Sequence, residues 1–266
     1  MLTAPLAPAN MPAWFGARKV DPLIHDSQAC RECYACLPVC PVGAIVRHDG
    51  RGVEIDRDRC VECGTCARSA GCPAQAFRPE ALAWPRLIRS LFSDPGTVHS
   101  VTGVPGRGTE EMKTNDVTGR FPSGICGVSI EIGRPSLSAS FVDIERVTRV
   151  CASLRLEFEE GNPLTALLDD RDTGALRPDI LGERVLSALI ELRVESARLA
   201  EVLRTLIEEA GNLDTVFSLG VSRLWSSDGE GPLLDELRRM GFSPRPNGKV
   251  NVGLGRPRYP SRPDGS

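Results

Sequence analysis

Aromatic residues are scarce: Phe, Trp and Tyr together make up 5% of the 266 residues. That is too few to build the stacking platforms on which single-stranded nucleic acid is bound. Basic charge is not in excess either. The formal net charge of −3 argues against nucleic acid or an anionic membrane as partner. No apolar run approaches the roughly 20 residues needed to span a bilayer. The first eleven residues are rich in Ala and Pro, with no basic flank and no apolar h-region, so no secretory signal is expected. Histidine is limited to His25, His48 and His99, which are scattered along the chain and form no ligand cluster. What remains is a chain that is 41% hydrophobic, enough to bury a core, and long enough for one small and one ordinary domain.

Cysteine is the exception to this plainness. Eight of the ten cysteines fall in two nearly repeated runs. The first reads C-x2-C-x2-C-x3-C-P at Cys30, Cys33, Cys36, Cys40 and Pro41. The second reads C-x2-C-x2-C-x5-C-P at Cys60, Cys63, Cys66, Cys72 and Pro73. Three cysteines two residues apart turn their thiolates toward one face of an iron–sulfur cube, and the fourth of each run ligates the cube of the other run. On that pattern Cys30, Cys33, Cys36 and Cys72 hold one [4Fe–4S] cluster, and Cys60, Cys63, Cys66 and Cys40 hold the second. The crossing also explains the unequal last spacing, since residues such as Ala70 and Gly71 merely lengthen a loop. A zinc ribbon would pair two C-x2-C knuckles without a third cysteine. Disulfides would require an oxidising compartment, whereas eight cysteines in metal motifs suit a reducing cytoplasm. Between the runs, residues 44–46 and 52–55 flank His48-Asp49-Gly50-Arg51 as a small hairpin.

Beyond the runs, the fold class expected is α+β: an N-terminal dicluster ferredoxin module followed by a βαββαβ ferredoxin-like sandwich. Residues 1–22 read as an extended arm, with Trp14 and Phe15 as its anchors, and residues 23–80 as the module. Residues 81–124 read as a connector helix after Pro85 and then a glycine-rich polar loop. Residues 125–266 form the sandwich with a C-terminal extension. In that last part, strands are expected over 126–132, 154–159, 185–194 and 215–224. Helical spacing links Phe141, Ile144, Val147, Cys151 and Leu154, with Ser140 as cap, and then Leu199, Val202, Leu203, Leu206 and Ile207, with Ser196 as cap. Residues 162–182 are expected to be a connection, and 233–240 a last helix. Cys151 lies on an apolar stripe and reads as core packing. Cys126 has no neighbouring base to mark it as a nucleophile. The turn Gly133-Arg134-Pro135 is echoed by Gly255-Arg256-Pro257, most economically by chance.

The polar loop over 99–124 lacks the standard phosphate signatures, since Gly103, Gly106 and Gly108 are in the order G-x2-G-x-G. A long loop in a compact chain is either functional or a plain connector. On the functional reading, the reacting pocket lies between module and sandwich, floored by residues 103–120. Arg107 and Lys113 hold an anionic group, Asn115 orients a ring, and Asp116 or Glu111 supplies the proton. On the plain reading these side chains are solvated and the glycines make turns.

Two resemblances follow from these residues. Residues 23–80, with both cysteine runs, resemble bacterial dicluster ferredoxins. The cysteine runs together with GVPGRGTEEMKTNDVTGRF, GVSIEIGRP and NGKVNVGLGRP resemble the ferredoxin-fused 6-hydroxynicotinate reductases, from about residue 25 to residue 257. That second resemblance implies reduction of a hydroxylated pyridine with electrons from reduced ferredoxin or another redox protein. It also implies a flavin, on this chain or on a separate flavin-bearing subunit. Reducing an aromatic ring costs resonance energy, which demands the strongly reducing electrons that all-cysteine cubanes carry. A dedicated electron carrier docking on a separate enzyme, and a redox-responsive regulator with a ligand-binding sandwich, are the other readings.

Overall fold

The computed structural model describes residues 23–48, 50, 52–79, 82–99, 101–106, 121–223 and 233–245. The chain mixes helix and strand throughout. In the cysteine-rich part, β1 (Leu23–His25) pairs antiparallel with β4 (Phe77–Pro79), and β2 (Ile45–His48) with β3 (Gly52–Ile55). Each pair joins the strand before one cysteine run to the strand after the other, so the two halves are interleaved from the start.

The local chemistry repeats with the same symmetry. Asp26 N–H donates to Ala76 O and Asp56 N–H to Ala44 O, each at 2.7 Å. Each aspartate then folds the chain back on itself. Asp26 Oδ1 accepts from the backbones of Gln28 and Ala29, and Asp56 Oδ1 from those of Asp58 and Arg59, at 3.0 and 3.1 Å in both turns. These are Asx turns, which deliver the first cysteine of each run. Cys30 N–H and Cys60 N–H in turn donate to Asp26 O and Asp56 O at 3.1 and 2.9 Å. The longer spacing between Cys66 and Cys72 is taken up by α1 (Thr65–Ser69), where the first run has only turns.

The rest of the chain supplies α2 (Leu87–Ser93), β5 (Ile125–Ile132), β6 (Ala139–Ser140), α3 (Phe141–Ser153) and β7 (Glu157–Phe158). These are followed by β8 (Leu168–Asp170), β9 (Ala175–Leu176), β10 (Arg184–Val185), β11 (Ala188–Glu195), α4 (Leu199–Ala210), β12 (Phe217–Arg223) and α5 (Leu233–Arg239). One four-stranded sheet runs in the order β12-β5-β11-β7 with every neighbouring pair antiparallel. Alternation along β5 and β11 sends Val128, Ile130, Ile132, Ile190, Leu192 and Val194 into one core with α3 and α4. Ser140 caps α3, its Oγ accepting from Asp143 N–H at 3.0 Å. Cys151 is fully buried in the same core.

The sheet's other face is also closed, and it is polar: Ser129, Glu131 and Glu191 are all buried. Asn162 Nδ2 donates to Glu191 Oε2 at 2.9 Å and to Leu189 O at 3.0 Å, which satisfies part of that cost. Gly127 lies under the Phe121 ring, where a Cβ would come within 2.4 Å of it.

Several sequence expectations need correcting. The strand expected over 154–159 is two residues long, because β7 meets β11 only at Leu192 and Arg193. The strand expected over 185–194 is two strands, with β10 pairing β6 and Leu186 N–H turned to Ser93 Oγ at 2.8 Å. Ser196 does not cap α4. It opens a one-turn 3-10 helix, its N–H bonds Gly124 O at 2.8 Å, and Arg198 sits at the cap of α4 without a side-chain capping bond. The connection over 162–182 contains the β8–β9 hairpin. The α2 helix begins at Leu87, two residues after Pro85. The arm with Trp14 and Phe15, and the turn Gly255-Arg256-Pro257, lie outside the described residues. Among the described residues no helix is long and apolar enough to cross a membrane.

Candidate metal centres

The eight cysteines of the runs are free thiols gathered into two groups. Cys36 stands within electrostatic reach of Cys30, Cys33 and Cys72. Cys66 stands within reach of Cys63, Cys60 and Cys40. The fold therefore brings three cysteines of each run together with the last cysteine of the other, as the interleaved strands require.

Left-handed backbone makes this convergence. Glu32 and Tyr34 in the first run, and Glu62 and Gly64 in the second, all have φ between 53° and 67°. Three of these four carry side chains in a region that L-residues rarely adopt, a local strain of the kind that clusters at functional sites. The reversals turn backbone N–H groups onto sulfur. Ala44 N–H reaches Cys40 Sγ at 3.1 Å, and Ala76 N–H and Glu32 N–H reach Cys72 Sγ and Cys30 Sγ at 3.4 Å each. Gly52 (φ 79°) backs directly onto Cys30, where a Cβ would sit 2.8 Å from its sulfur.

The donor set fits an iron–sulfur cluster better than a single ion. Among the described residues no three His, Cys, Asp or Glu side chains close to single-ion spacing. Thiolates each about 2.3 Å from one zinc would crowd together far more tightly. Burial and mutual repulsion act on the bare thiols, desolvation first: Cys36 is raised, Cys60 is pushed up to about 11 and Cys66 to about 12. Cys36, Cys60 and Cys66 ionise readily only beside compensating positive charge, which cluster iron would supply.

The surroundings of the two groups differ sharply. Around the second, Arg89 is 5% exposed, and its Nη1 meets the carbonyls of Arg57, Asp58 and Cys60 at 3.0, 3.0 and 2.8 Å, while its Nε pairs with Glu183. Arg86 donates from Nε to Glu62 Oε1 at 2.8 Å and from Nη2 to Arg57 O at 2.7 Å. Arg68 bonds Cys63 O and pairs with Asp94 at 3.1 Å. Leu186 packs on Val42, Ala44, Val61 and Cys63, and Ser136 N–H bonds Pro41 O. The first group instead has Cys33, Arg31 and Glu32 exposed, with Tyr34 OH on Glu32 at 3.3 Å.

Sequence reasoning missed these arginines. Their signal was present: Arg86 and Arg89 are one helical turn apart beside Leu87, Ile88 and Phe92, all of which are buried with the body's core. A charged residue bracketed by core positions on a seven-residue helix needs a polar partner, and here the partner is the second cysteine loop.

The other candidate residues separate into two sets. Arg107, Glu111, Lys113, Asn115 and Asp116 lie outside the described residues, as do most of residues 103–120. Two histidines read as scattered share one cleft of about 430 Å³, lined by Ile24, His25, Ser27, His48, Val53, Glu54, Ile55 and Arg57. His48 pairs there with Glu54 at 2.9 Å, and desolvation lowers His25. His99 is buried, with its ring edge-on to Phe92 at 5.0 Å and, among the described residues, no hydrogen-bond partner for Nε2. Its other bonds, to the backbones of Leu91 and Gly106, only partly offset the desolvation that lowers its pKa. Cys126 is buried with Ser196 Oγ at 3.4 Å from its sulfur, and burial drives the Cys151 thiol upward.

Paired, crossed cysteine groups on two interleaved strand pairs define a two-cluster iron–sulfur domain. Residues 29–81 match the family model described as a 4Fe-4S dicluster domain. This stretch is thus of the ferredoxin electron-transfer type and works with redox partners. The chain matches no curated protein and no solved structure.

Proposed function

We propose that the chain passes low-potential electrons through two [4Fe–4S] clusters to a hydroxylated pyridine of the 6-hydroxynicotinate type. Cys30, Cys33, Cys36 and Cys72 would hold one cluster, and Cys40, Cys60, Cys63 and Cys66 the other. The observation that carries the reading is the crossed grouping of cysteines around Cys36 and Cys66. The clusters supply one-electron transfer. The chain's own residues hold them, shield the second from water and fix it to the body through Arg86 and Arg89.

The body is read as a βαββαβ sandwich over residues 125–266, joined by the connector 81–124 to the module 23–80, with an arm over 1–22. The sheet order β12-β5-β11-β7 supports that reading. The substrate class rests on the resemblance of the cysteine runs and the GVSIEIGRP and NGKVNVGLGRP segments to the 6-hydroxynicotinate reductases. The loop residues Arg107, Glu111, Lys113, Asn115 and Asp116 keep their proposed substrate roles. A flavin, on this chain or a partner subunit, would turn single electrons into a pair. A reducing cytoplasm suits a chain with eight cysteines in cluster motifs.

The test is reoxidation of the dithionite-reduced protein by hydroxypyridine carboxylates under anaerobic conditions. Cluster absorbance returning in step with substrate loss supports a reductase. Return only with an added redox protein would make the chain a carrier for a separate enzyme, and would overturn the substrate assignment.

A further inference from the structure

We infer that Arg86, backed by Arg89, makes the two cluster sites electrically unequal, holding the site of Cys40, Cys60, Cys63 and Cys66 at the higher reduction potential. Electrons then run from the exposed site toward the body. The inference rests on the cysteine grouping proposed above.

The two runs have the same ligands and the same backbone reversals, so a difference must come from what surrounds them. Four guanidiniums bond the second site's framework: Arg59 to Val42 O at 3.2 Å, and Arg68, Arg86 and Arg89 as described. Three carboxylates face them, from Glu62, Glu183 and Asp94. Arg57 adds a further positive group, 3.6 Å from Glu62. Glu62 stands between Cys60 and Cys63 in the loop, and Arg86 meets its carboxylate at 2.6 Å. In the first site Arg31 is exposed to solvent, and Arg47 lies over the Tyr34 ring with its guanidinium 4.2 Å from the ring centroid.

A cluster gains negative charge when it is reduced, so nearby positive charge favours the reduced form. Burial acts the other way, penalising added charge. Burial leaves Arg89 and Arg86, with side chains 6% and 23% exposed, less screened than Arg68 and Arg57 at 47% and 40%, and their hydrogen bonds to the loop carbonyls draw electron density from the frame that holds the sulfurs. Transfer between the sites moves one electron, oxidising one cluster by one unit as it reduces the other, and consumes no proton. A low-potential one-electron donor of the ferredoxin class fills the first site again.

The geometry also fits the direction. Cys33 is exposed, whereas Cys63, Val61 and Glu62 are buried where Leu186 and α2 press on the module. The outer site is thus open to a soluble donor, and the inner one abuts the body.

The experiment is an EPR-monitored redox titration of the full-length holoprotein, with Cys33→Ser and Cys66→Ser assigning the two signals. Arg86→Gln should shift the inner cluster's one-electron equilibrium at least tenfold toward the oxidised form, about 59 mV more negative, and leave the outer cluster in place. Arg86→Lys, which keeps the charge, should restore most of the shift. Glu62→Gln should move the same signal in the opposite direction, and it decides the matter should Arg86→Gln fail to assemble both clusters. Two intact clusters whose potentials ignore these changes would overturn the inference and leave the electron-conduit reading standing. Cys33→Ser and Cys72→Ser abolishing different signals would overturn the cysteine grouping instead.

Discussion

Glu32 and Glu62 occupy the same place in their respective runs, just before the second cysteine, and share the same left-handed backbone at φ 53° and 55°. Their side chains stand in different surroundings. Glu32 is exposed, with the Tyr34 hydroxyl on its carboxylate, while Glu62 is 6% exposed and gripped by Arg86 at 2.6 Å. The residue before each repeats the contrast, since Arg31 is exposed and Val61 is buried. Sequence repetition therefore specifies the cage of backbone and sulfur. The rest of the chain specifies its electrical and solvent environment, and only one of the two cages receives it.

The comparison breaks most completely at the sulfurs. Cys72→Ser should remove the same cluster as Cys36→Ser, and Cys40→Ser the same as Cys66→Ser, each cutting iron from about eight to about four per chain. Iron analysis with EPR reads this directly, and loss by sequence run instead of by crossed group would refute the interleaving.

Next in size is the clamp. Arg89→Met takes this donor from Glu183 and from the carbonyls of Asp58 and Cys60 in a buried site, which should cost about 3–5 kcal/mol. Thermal unfolding of the holoprotein checks this, and Glu32→Ala in the exposed loop should stay within about 0.5 kcal/mol of the parent. A smaller effect, about 1–3 kcal/mol, is expected for Gly52→Ala, because φ 79° is strained for alanine and the new Cβ meets Cys30 sulfur. Its cluster loss should fall on the outer site alone.

The smallest prediction concerns pH. Burial lowers the His99 pKa below the unfolded value of 6.5. As pH falls below that value the unfolded chain takes up a proton that folded His99 refuses, so its contribution to stability is present above pH 6.5 and is lost as pH falls through the folded pKa. Unfolding midpoints of the parent and His99→Gln at neutral and mildly acidic pH should therefore converge as pH falls. Curves that stay parallel would show that His99 does not titrate in this way.

The cysteine cage was legible in the sequence because its spacing is its geometry. C-x2-C-x2-C allows little other than a tight loop, and the trailing Cys-Pro marks the crossing residue. The α3 helix was legible for the same reason: its apolar period and the Ser140 cap are both local. The Arg86–Glu62 and Arg89–Glu183 pairs were not, because their partners lie 24 and 94 residues away. The split of β10 from β11 was also hidden, since Val185 is apolar and would continue the strand. What ends that strand is the side chain of Ser93, from a different element. Likewise His25 and His48 look unrelated in the chain and meet in one cleft because β1 lies beside β3, which pairs with the β2 strand that ends in His48.

The central claim is two clusters held by eight crossed cysteines, and stoichiometry tests it most directly. Anaerobic iron and sulfide analysis combined with a dithionite titration should return about eight irons and about eight sulfides per chain, and take up two electrons. About four irons with one electron, or zinc in place of iron, would contradict it.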